Sequence, residues 1–445
     1  MRLSGPLSPC AAPTSISFVP RVRACYADAG TAKMHGSRAG PFAALACLHI
    51  RIGTSKLQGM YPRLAADRLR DAAHRFPAVV LLGARQVGKT TLARSTFPDL
   101  PYLDCQDPAT AAALAEDPRF VLEQREGDGL ILDEAQAVEG AFAAIRGLVD
   151  ADRGRNGRFI VLSSAQPALV RGAAESLAGR AMVMELSPLM ACEAAARTGP
   201  ADWRTLWLKG GFPDALHGDF REWWEAYLRL FLERDLPQYG VSADPVLGRR
   251  LLTMLAHTQG GILNASQLGA SLGVSYHTVQ RYLGVFEQTF LLRALQPYFR
   301  NVGKRLVKAP KIYVRDTGLL HHLLDISTEA ELASHPARGV SWETFVVEDV
   351  LRREQLLHPG SHPFFWRTAA GAEVDLVIER ANRRFGIEVK TARGEHPRVV
   401  RGLEAALQDL DGDRGWIVDQ ASGVDRLGDR VARAGFGEIM NGTPA

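Results

Sequence analysis

Nothing in this 445-residue chain approaches the 18 or so consecutive apolar residues of a membrane span, and the expectation is a soluble protein. Cysteine is scarce. Five are present, none at paired or metal-like spacing, and Cys10, Cys25 and Cys47 lie in the first 59 residues, leaving Cys105 and Cys192 in the body. That fits a reducing cytoplasm. Acid is nearly missing from those first 59 residues: Asp28 stands alone against Arg2, Arg21, Arg23, Lys33, Arg38, Arg51 and Lys56. Since the whole chain is only +4, the remainder is slightly acidic, and the overall basic balance says little about the partners of the body. An Arg-rich, acid-poor leader fits a transit peptide, a disordered tail or an upstream start. The last is the expectation, because MYPRLAADRL at Met60 opens the first well-patterned segment.

The chain has room for two to four domains, and 46% hydrophobic with 23% charged residues is the composition of a globular protein. The strand-like run Ala78 to Leu82 feeds Gly83-x-x-x-x-Gly88-Lys89-Thr90, and a helical pattern follows. This is a complete P-loop in its strand–loop–helix context. Its backbone N–H groups wrap phosphate at a helix N-terminus, Lys89 neutralises the β- and γ-phosphates, and the Thr90 hydroxyl takes Mg²⁺. The expected nucleotide-binding residues are Gly83, Ala84, Arg85, Gln86, Val87, Gly88, Lys89, Thr90 and Thr91, with Ser164. GLILDEAQ (129–136) reads as a buried parallel strand ending in two acids. Asp133 is placed to hold Mg²⁺, and Glu134 to polarise the attacking water. RFIVLSSAQ (158–166) is another buried strand, with Ser164 the candidate reporter on the γ-phosphate. Arg180, between a helix-like run and a strand, is the candidate arginine finger.

The set GARQVGKTT, LDEAQ, SSAQ, SLAGR and LSPL resembles a large group of bacterial AAA-type ATPases whose C-terminal region is called domain of unknown function 4143. The likeness continues through LKGGFPDAL (208–216), LERDL (232–236), KAPKIYVRDTGLL (308–320) and the C-terminal hairpin, covering about residues 60 to 395. One departure stands out: Leu162-Ser163-Ser164 replaces the family's usual Thr-Gly-Ser, removing the threonine hydroxyl and weakening a sensor role.

REWWEAYLRLFLERDLPQ (221–238) has a broad apolar helical face and is expected to pack as a lid, with Arg234 and Asp235 a surface pair. Residues 263–295 read as helix, Gly-Val-Ser turn, helix and strand, a winged helix-turn-helix. Tyr276, His277, Gln280 and Arg281 would face DNA. Lys304, Arg305, Lys308, Lys311 and Arg315 follow with no acid among them, a strip suited either to phosphate or to a solvated face.

EVDLVIERANRRFGIEVK (373–390) reads as a β-hairpin preceded by the helical pattern GVSWETFVVEDVLRRE (339–354) and the strand FFWRT (364–368). If the turn is Arg380 to Arg383, Glu379 opposes Arg384 and Asp375 opposes Glu388. Two carboxylates across a ladder repel, and a divalent cation between them reverses that cost. Glu388 and Lys390 share a face. This arrangement resembles the PD-(D/E)XK nuclease core. The resemblance implies that Asp375 and Glu388 bind Mg²⁺, Lys390 assists the nucleophile and Glu343 completes the site. The competing reading is a salt-bridged hairpin without metal.

The expected fold is α/β: a P-loop AAA-like parallel sheet with helical lid, a winged helix-turn-helix, and a C-terminal PD-(D/E)XK nuclease-like domain. Its boundaries are 1–59 (extension or mis-assigned start), 60–205 (ATPase), 206–250 (lid), 251–330 (winged helix) and 335–445 (nuclease-like). The expected activity is ATP hydrolysis with Mg²⁺, acting on DNA, with a nuclease-like C-terminal domain. The alternative is an ATP-dependent DNA- or protein-binding switch whose nuclease-like domain is silent. The expected partners are nucleotide, DNA, and a second copy or another protein.

Overall fold

The computed structural model describes residues 60–164, 177–199, 203–239, 244–298, 309–368, 371–394 and 397–441. The expectations for residues 1–59 and for Lys304, Arg305 and Lys308 lie outside them.

Five strands build the first sheet: β1 (Ala78–Leu82), β2 (Tyr102–Asp104), β3 (Leu130–Asp133), β4 (Phe159–Ser163) and β5 (Ala181–Glu185). Their order is β2-β3-β4-β1-β5, every pair parallel. β1, β3 and β4 are apolar runs because both faces are covered. Val79, Ile131 and Ile160 share one core with Leu69 of the helix Ala65–Arg75, while Val80, Leu132 and Val161 share another with Ile145 and Leu148 of the helix Ala141–Ala151. The P-loop fills the turn from β1 to the helix Lys89–Thr96, at the sheet's C-terminal edge.

The expected lid helix is not uniform. It runs Phe220–Leu230, passes through a π turn over Phe231–Asp235, and resumes at Leu236–Gln238. Pro237, with no N–H to donate, lies two residues past the wide turn. Leu230, expected on the apolar face, is 53% exposed. The helix-turn-helix comprises Ala265–Leu272, a left-handed Gly273 and Tyr276–Gln288. Leu268, Leu272, Val279 and Leu283 are buried. An antiparallel pair, β6 (Leu292–Leu295) and β7 (Lys311–Val314), follows it.

A second sheet holds β8 (His362–Arg367), β9 (Glu373–Arg380), β10 (Arg383–Val389), β11 (Arg414–Asp419), β12 (Val424–Arg426) and β13 (Val431–Gly435). Its order is β12-β13-β11-β10-β9-β8. β9 and β10 form the hairpin with Glu379 opposite Arg384, and β11 adds in parallel to β10. Trp342, Phe345 and Val350 of the helix Arg338–Leu357 share a core with Leu376, Ile378 and Ile387. Leu403 and Leu407 of the helix Pro397–Leu410 share another with Val374 and Val377. The architecture is a parallel P-loop sheet with an additional α/β domain.

Two of the family-like motifs interlock. Asp316 caps the helix Thr317–Leu323 by accepting from Gly318 N at 2.9 Å, and its other oxygen accepts from Gly211 N at 2.8 Å. A Cβ on Gly318 would lie 2.0 Å from Lys209 O and 2.7 Å from Trp224 Nε1, so only glycine permits the approach. DTGL and LKGG are therefore a structural clasp.

Beside the clasp, His321 is fully buried. Its Nδ1 lies 2.8 Å from Leu208 O and its Nε2 2.6 Å from Ser341 Oγ, which accepts from Trp207 Nε1 at 2.9 Å. A carbonyl can only accept, so Nδ1 carries the proton and Nε2 accepts from the serine. Burial pushes the imidazole pKa down to about 4. The unfolded chain takes up that proton near pH 6.5 and the folded chain does not until about 4. Stability is therefore lost as pH falls through that window, on the order of 2 kcal/mol by pH 5. Urea unfolding at pH 7 and pH 5 should show that loss, and His321→Gln should remove it; parallel pH curves for the two proteins would contradict the assignment.

Candidate functional site

Gly88 has φ +97° and starts the helix Lys89–Thr96, which aims its first N–H groups into the P-loop. Lys89 is 6% exposed. Its ammonium donates to Gly83 O (2.9 Å) and Ala84 O (3.0 Å), folded back on the loop that carries it. Burial lowers its pKa, with Glu134 and Asp133 pulling the other way. Thr90 Oγ1 donates to Asp133 Oδ2 at 2.5 Å, and Tyr102 OH donates to the same oxygen at 2.9 Å. A hydroxyl and a carboxylate side by side at a helix N-terminus suit Mg²⁺, which takes few protein ligands and completes its shell with phosphate and water. The site fits a magnesium–nucleotide.

β4 separates β3 from β1, which places Ser164 beside Glu134. The Glu134 backbone is left-handed (φ 51°, ψ 43°), unusual for a non-glycine residue. Its carboxylate accepts from Ser164 Oγ at 2.7 and 2.9 Å and also from Gln136 Nε2. The hydroxyl expected to sense phosphate is thus committed to the acid expected to polarise water. Gln136 as a third member of this group escaped the sequence reading.

Two arginines tie the loop to its surroundings, one from outside it and one from within. Arg63 donates to Val87 O (3.1 Å) and Ser187 O (2.5 Å) and pairs with Glu193 at 3.1 Å. Arg85, inside the loop, pairs with Asp235 at 2.5 Å. That corrects the expectation of a surface Arg234–Asp235 pair: the π turn delivers Asp235, 4% exposed, to the P-loop. Arg180 sits elsewhere. Its carbonyl accepts from Ala78 N at the start of β1, and its guanidinium pairs with Asp150 at 2.7 Å. It therefore lies at the opposite edge of the sheet from the loop that follows Leu82, out of reach of a nucleotide held by its own chain.

In the helix-turn-helix, Tyr276, His277 and Arg281 are exposed, while Gln280 Nε2 donates to Tyr276 OH at 3.2 Å. The reading of Lys311 and Arg315 as part of an exposed basic strip is overturned. They are 2% and 6% exposed, because they begin and follow a strand, KIYV, buried along its whole length. Arg315 pairs with Glu185 at 2.6 Å and with Glu348 at 3.3 Å. Arg293 also pairs with Glu348, and Arg352 reaches it at 3.8 Å.

Lys311 enters the C-terminal acid cluster. Its Nζ lies 3.3 Å from Glu343 and 3.4 Å from Asp375, and it is paired with Glu373. Tyr313 OH donates to Glu343 Oε1 at 2.7 Å, and Asp375 Oδ2 accepts from Val389 N at 2.9 Å. Lys390 Nζ donates to Glu388 at 2.7 Å. The fold thus brings Glu343, Asp375, Glu388 and Lys390 together, with a second lysine among them. Burial, then the nearby Asp375 charge, raises the Glu343 pKa to about 7 and that of Glu388 to about 8. Burial alone would lower Lys311, but Glu343, Asp375 and Glu373 outweigh it and raise it. Among the described residues, no group of three or more His, Cys, Asp or Glu is arranged to hold a metal ion. With the Lys311 ammonium between these carboxylates, the cluster does not fit Mg²⁺.

Family models match three segments: an AAA domain over residues 75–195, domain of unknown function DUF8612 over 200–330, and domain of unknown function DUF4143 over 338–435. The chain is 40% identical over 384 residues to the uncharacterized proteins Rv2008c of Mycobacterium tuberculosis and Mb2031c of Mycobacterium bovis, covering 85% of this chain and 84% of each relative. Among solved structures it is similar to the Walker-type ATPase paby2304 of Pyrococcus abyssi, at 15% identity and TM-score 0.41, over 60% of this chain and 96% of that one. It is also similar to a Thermotoga maritima RuvB variant, at 19% identity and TM-score 0.28, over 52% of this chain and 86% of that one. No helix among the described residues is long and apolar enough to cross a membrane.

Proposed function

The chain belongs to the same family as the two mycobacterial proteins and carries an AAA-type P-loop ATPase domain ahead of domain of unknown function 4143; from that premise we propose that it binds and hydrolyses ATP with Mg²⁺, and that the cycle switches its hold on DNA in the cytoplasm. The observation that carries the reading is the convergence of Lys89, Thr90, Asp133 and Glu134 at one edge of the parallel sheet. The loop from Gly83 to Thr91 wraps the phosphates. Lys89 leaves the loop carbonyls for phosphate oxygen, and Thr90 and Asp133 hold the metal. Glu134, once let go by Ser164, polarises water. Arg85 and Asp235 pass the state of the loop to the lid. Arg180, facing away, acts on the nucleotide of a neighbouring copy, which makes the working unit an oligomer. DNA is met by Tyr276, His277 and Arg281 at the start of the second helix of the helix-turn-helix.

ATP hydrolysis and fluorescence anisotropy on duplex DNA, with Lys89→Ala as the control, test this. Hydrolysis should vanish in the variant, and DNA affinity should differ between nucleotide-free and ATP-bound native protein. Replacing His277 and Arg281 together by Ala should weaken binding about tenfold or more. DNA binding indifferent to both ATP and these substitutions would sink the DNA half of the proposal.

A second reading, metal-dependent DNA cleavage, is favoured by the meeting of Glu343, Asp375 and Glu388 with Lys390 in a nuclease-like order along the chain, and it requires Lys311 first to leave the carboxylates, since the cluster with that ammonium in place does not fit Mg²⁺. Mg²⁺-dependent cleavage that survives Asp375→Ala would remove it.

A further inference from the structure

We propose that Lys311 is the resident cation of the C-terminal acid cluster: its ammonium holds the place of a divalent ion and keeps the cluster closed to metal while the β6–β7 pair is docked. The lysine comes from outside the second sheet, 32 residues before Glu343 and 64 before Asp375. It is 2% exposed and meets three carboxylates, those of Glu343, Glu373 and Asp375. Tyr313, two residues on and so on the same face of β7, spends its hydroxyl on Glu343 as well. Two side chains of one strand thus address the cluster. Lys390 neutralises Glu388 from the other side, so four acids already meet two ammonium groups. A divalent ion among the same oxygens would stand against both, and like charges that close repel strongly away from water.

The lysine is held in place by its strand. After β6, the segment pairs with β8 through Tyr298 N to Phe365 O (2.8 Å) and Phe365 N to Gln296 O (3.0 Å). Arg315, four residues past Lys311, reaches Glu185 at the end of β5 in the first sheet. The element that fills the cluster is therefore fixed to both sheets.

The inference bears on the second reading above without depending on it, since it concerns metal occupancy rather than cleavage. Its test is Mn²⁺ binding by the full-length, nucleotide-free protein, read by electron paramagnetic resonance and thermal melting. Lys311→Met keeps the length of the side chain and removes its charge. The native chain should bind no Mn²⁺ at the cluster. Lys311→Met should bind one ion, which Asp375→Asn in the same background removes, and Mn²⁺ should raise the melting temperature of the variant by several degrees while leaving the native protein unmoved. If Lys311→Met refolds only when Mn²⁺ is present, the ion has replaced the missing charge and the proposal holds; failure to refold even with Mn²⁺ overturns it. A native protein that binds Mn²⁺ and loses it on Asp375→Asn, or a folded Lys311→Met that binds none, also overturns it.

Discussion

Glu134→Gln is expected to bind ATP as the native chain does and to hydrolyse it about 10²–10⁴ times more slowly. The amide keeps the shape of the carboxylate and its contacts with Ser164, whose hydroxyl can donate to the amide oxygen. It cannot polarise water as a base. Phosphate binding rests on other groups, the loop N–H donors and Lys89, so affinity should hold. Lys89→Ala should lose binding and hydrolysis together, and the contrast separates the two roles. Ser164→Ala probes the hold on Glu134. Without the hydroxyl, the carboxylate keeps only the longer contact to Ser164 N at 3.4 Å and the Gln136 amide, and hydrolysis should change less than in Glu134→Gln. Single-turnover hydrolysis beside nucleotide affinity decides the matter. If Glu134→Gln turns over at the native rate, another group activates the water.

What the chain revealed on reading, and what it hid, divides by sequence distance. The P-loop, the Asp133-Glu134 pair and the 379–384 hairpin register are local: spacing, period and a two-residue turn determine them. The Arg85–Asp235, Arg63–Glu193 and Lys311–Asp375 pairs span 150, 130 and 64 residues, and no periodicity announces such meetings. The buried basic residues misled for a physical reason. A run of Lys and Arg is read as exposed because an unpaired buried charge is costly, and the acids that pair with these lie far along the chain. One signal was available. Lys311 is followed at once by Ile312, Tyr313 and Val314, and a cation opening so apolar a strand has to find a partner inside. The Asp235 position was hidden differently, since a π turn adds a residue that regular helical spacing does not count.

The second large effect is expected at Glu348. Its side chain is 2% exposed and faces Arg293, Arg315 and Arg352. Burial alone would push its pKa up, but Arg293 and Arg315 outweigh it and hold the carboxyl down at about 2. Glu348→Ala leaves three guanidinium groups with less charge against them. Arg315 keeps Glu185, whereas Arg293 and Arg352 lose the carboxylate they share. Breaking a buried pair from one side typically costs about 3–5 kcal/mol, a large part of the stability of an ordinary domain. Glu348→Gln should fall between, keeping hydrogen bonds without charge. Glu185→Ala removes a more exposed partner of the same arginine, and about 1 kcal/mol or less is expected there. Urea unfolding of the three variants at pH 7 ranks them. Equal losses at Glu348 and Glu185 would mean the cluster is solvated. The expected ranking would identify it as the junction that ties β5 of the first sheet, the β6–β7 pair and the helix Arg338–Leu357 into one cooperative body.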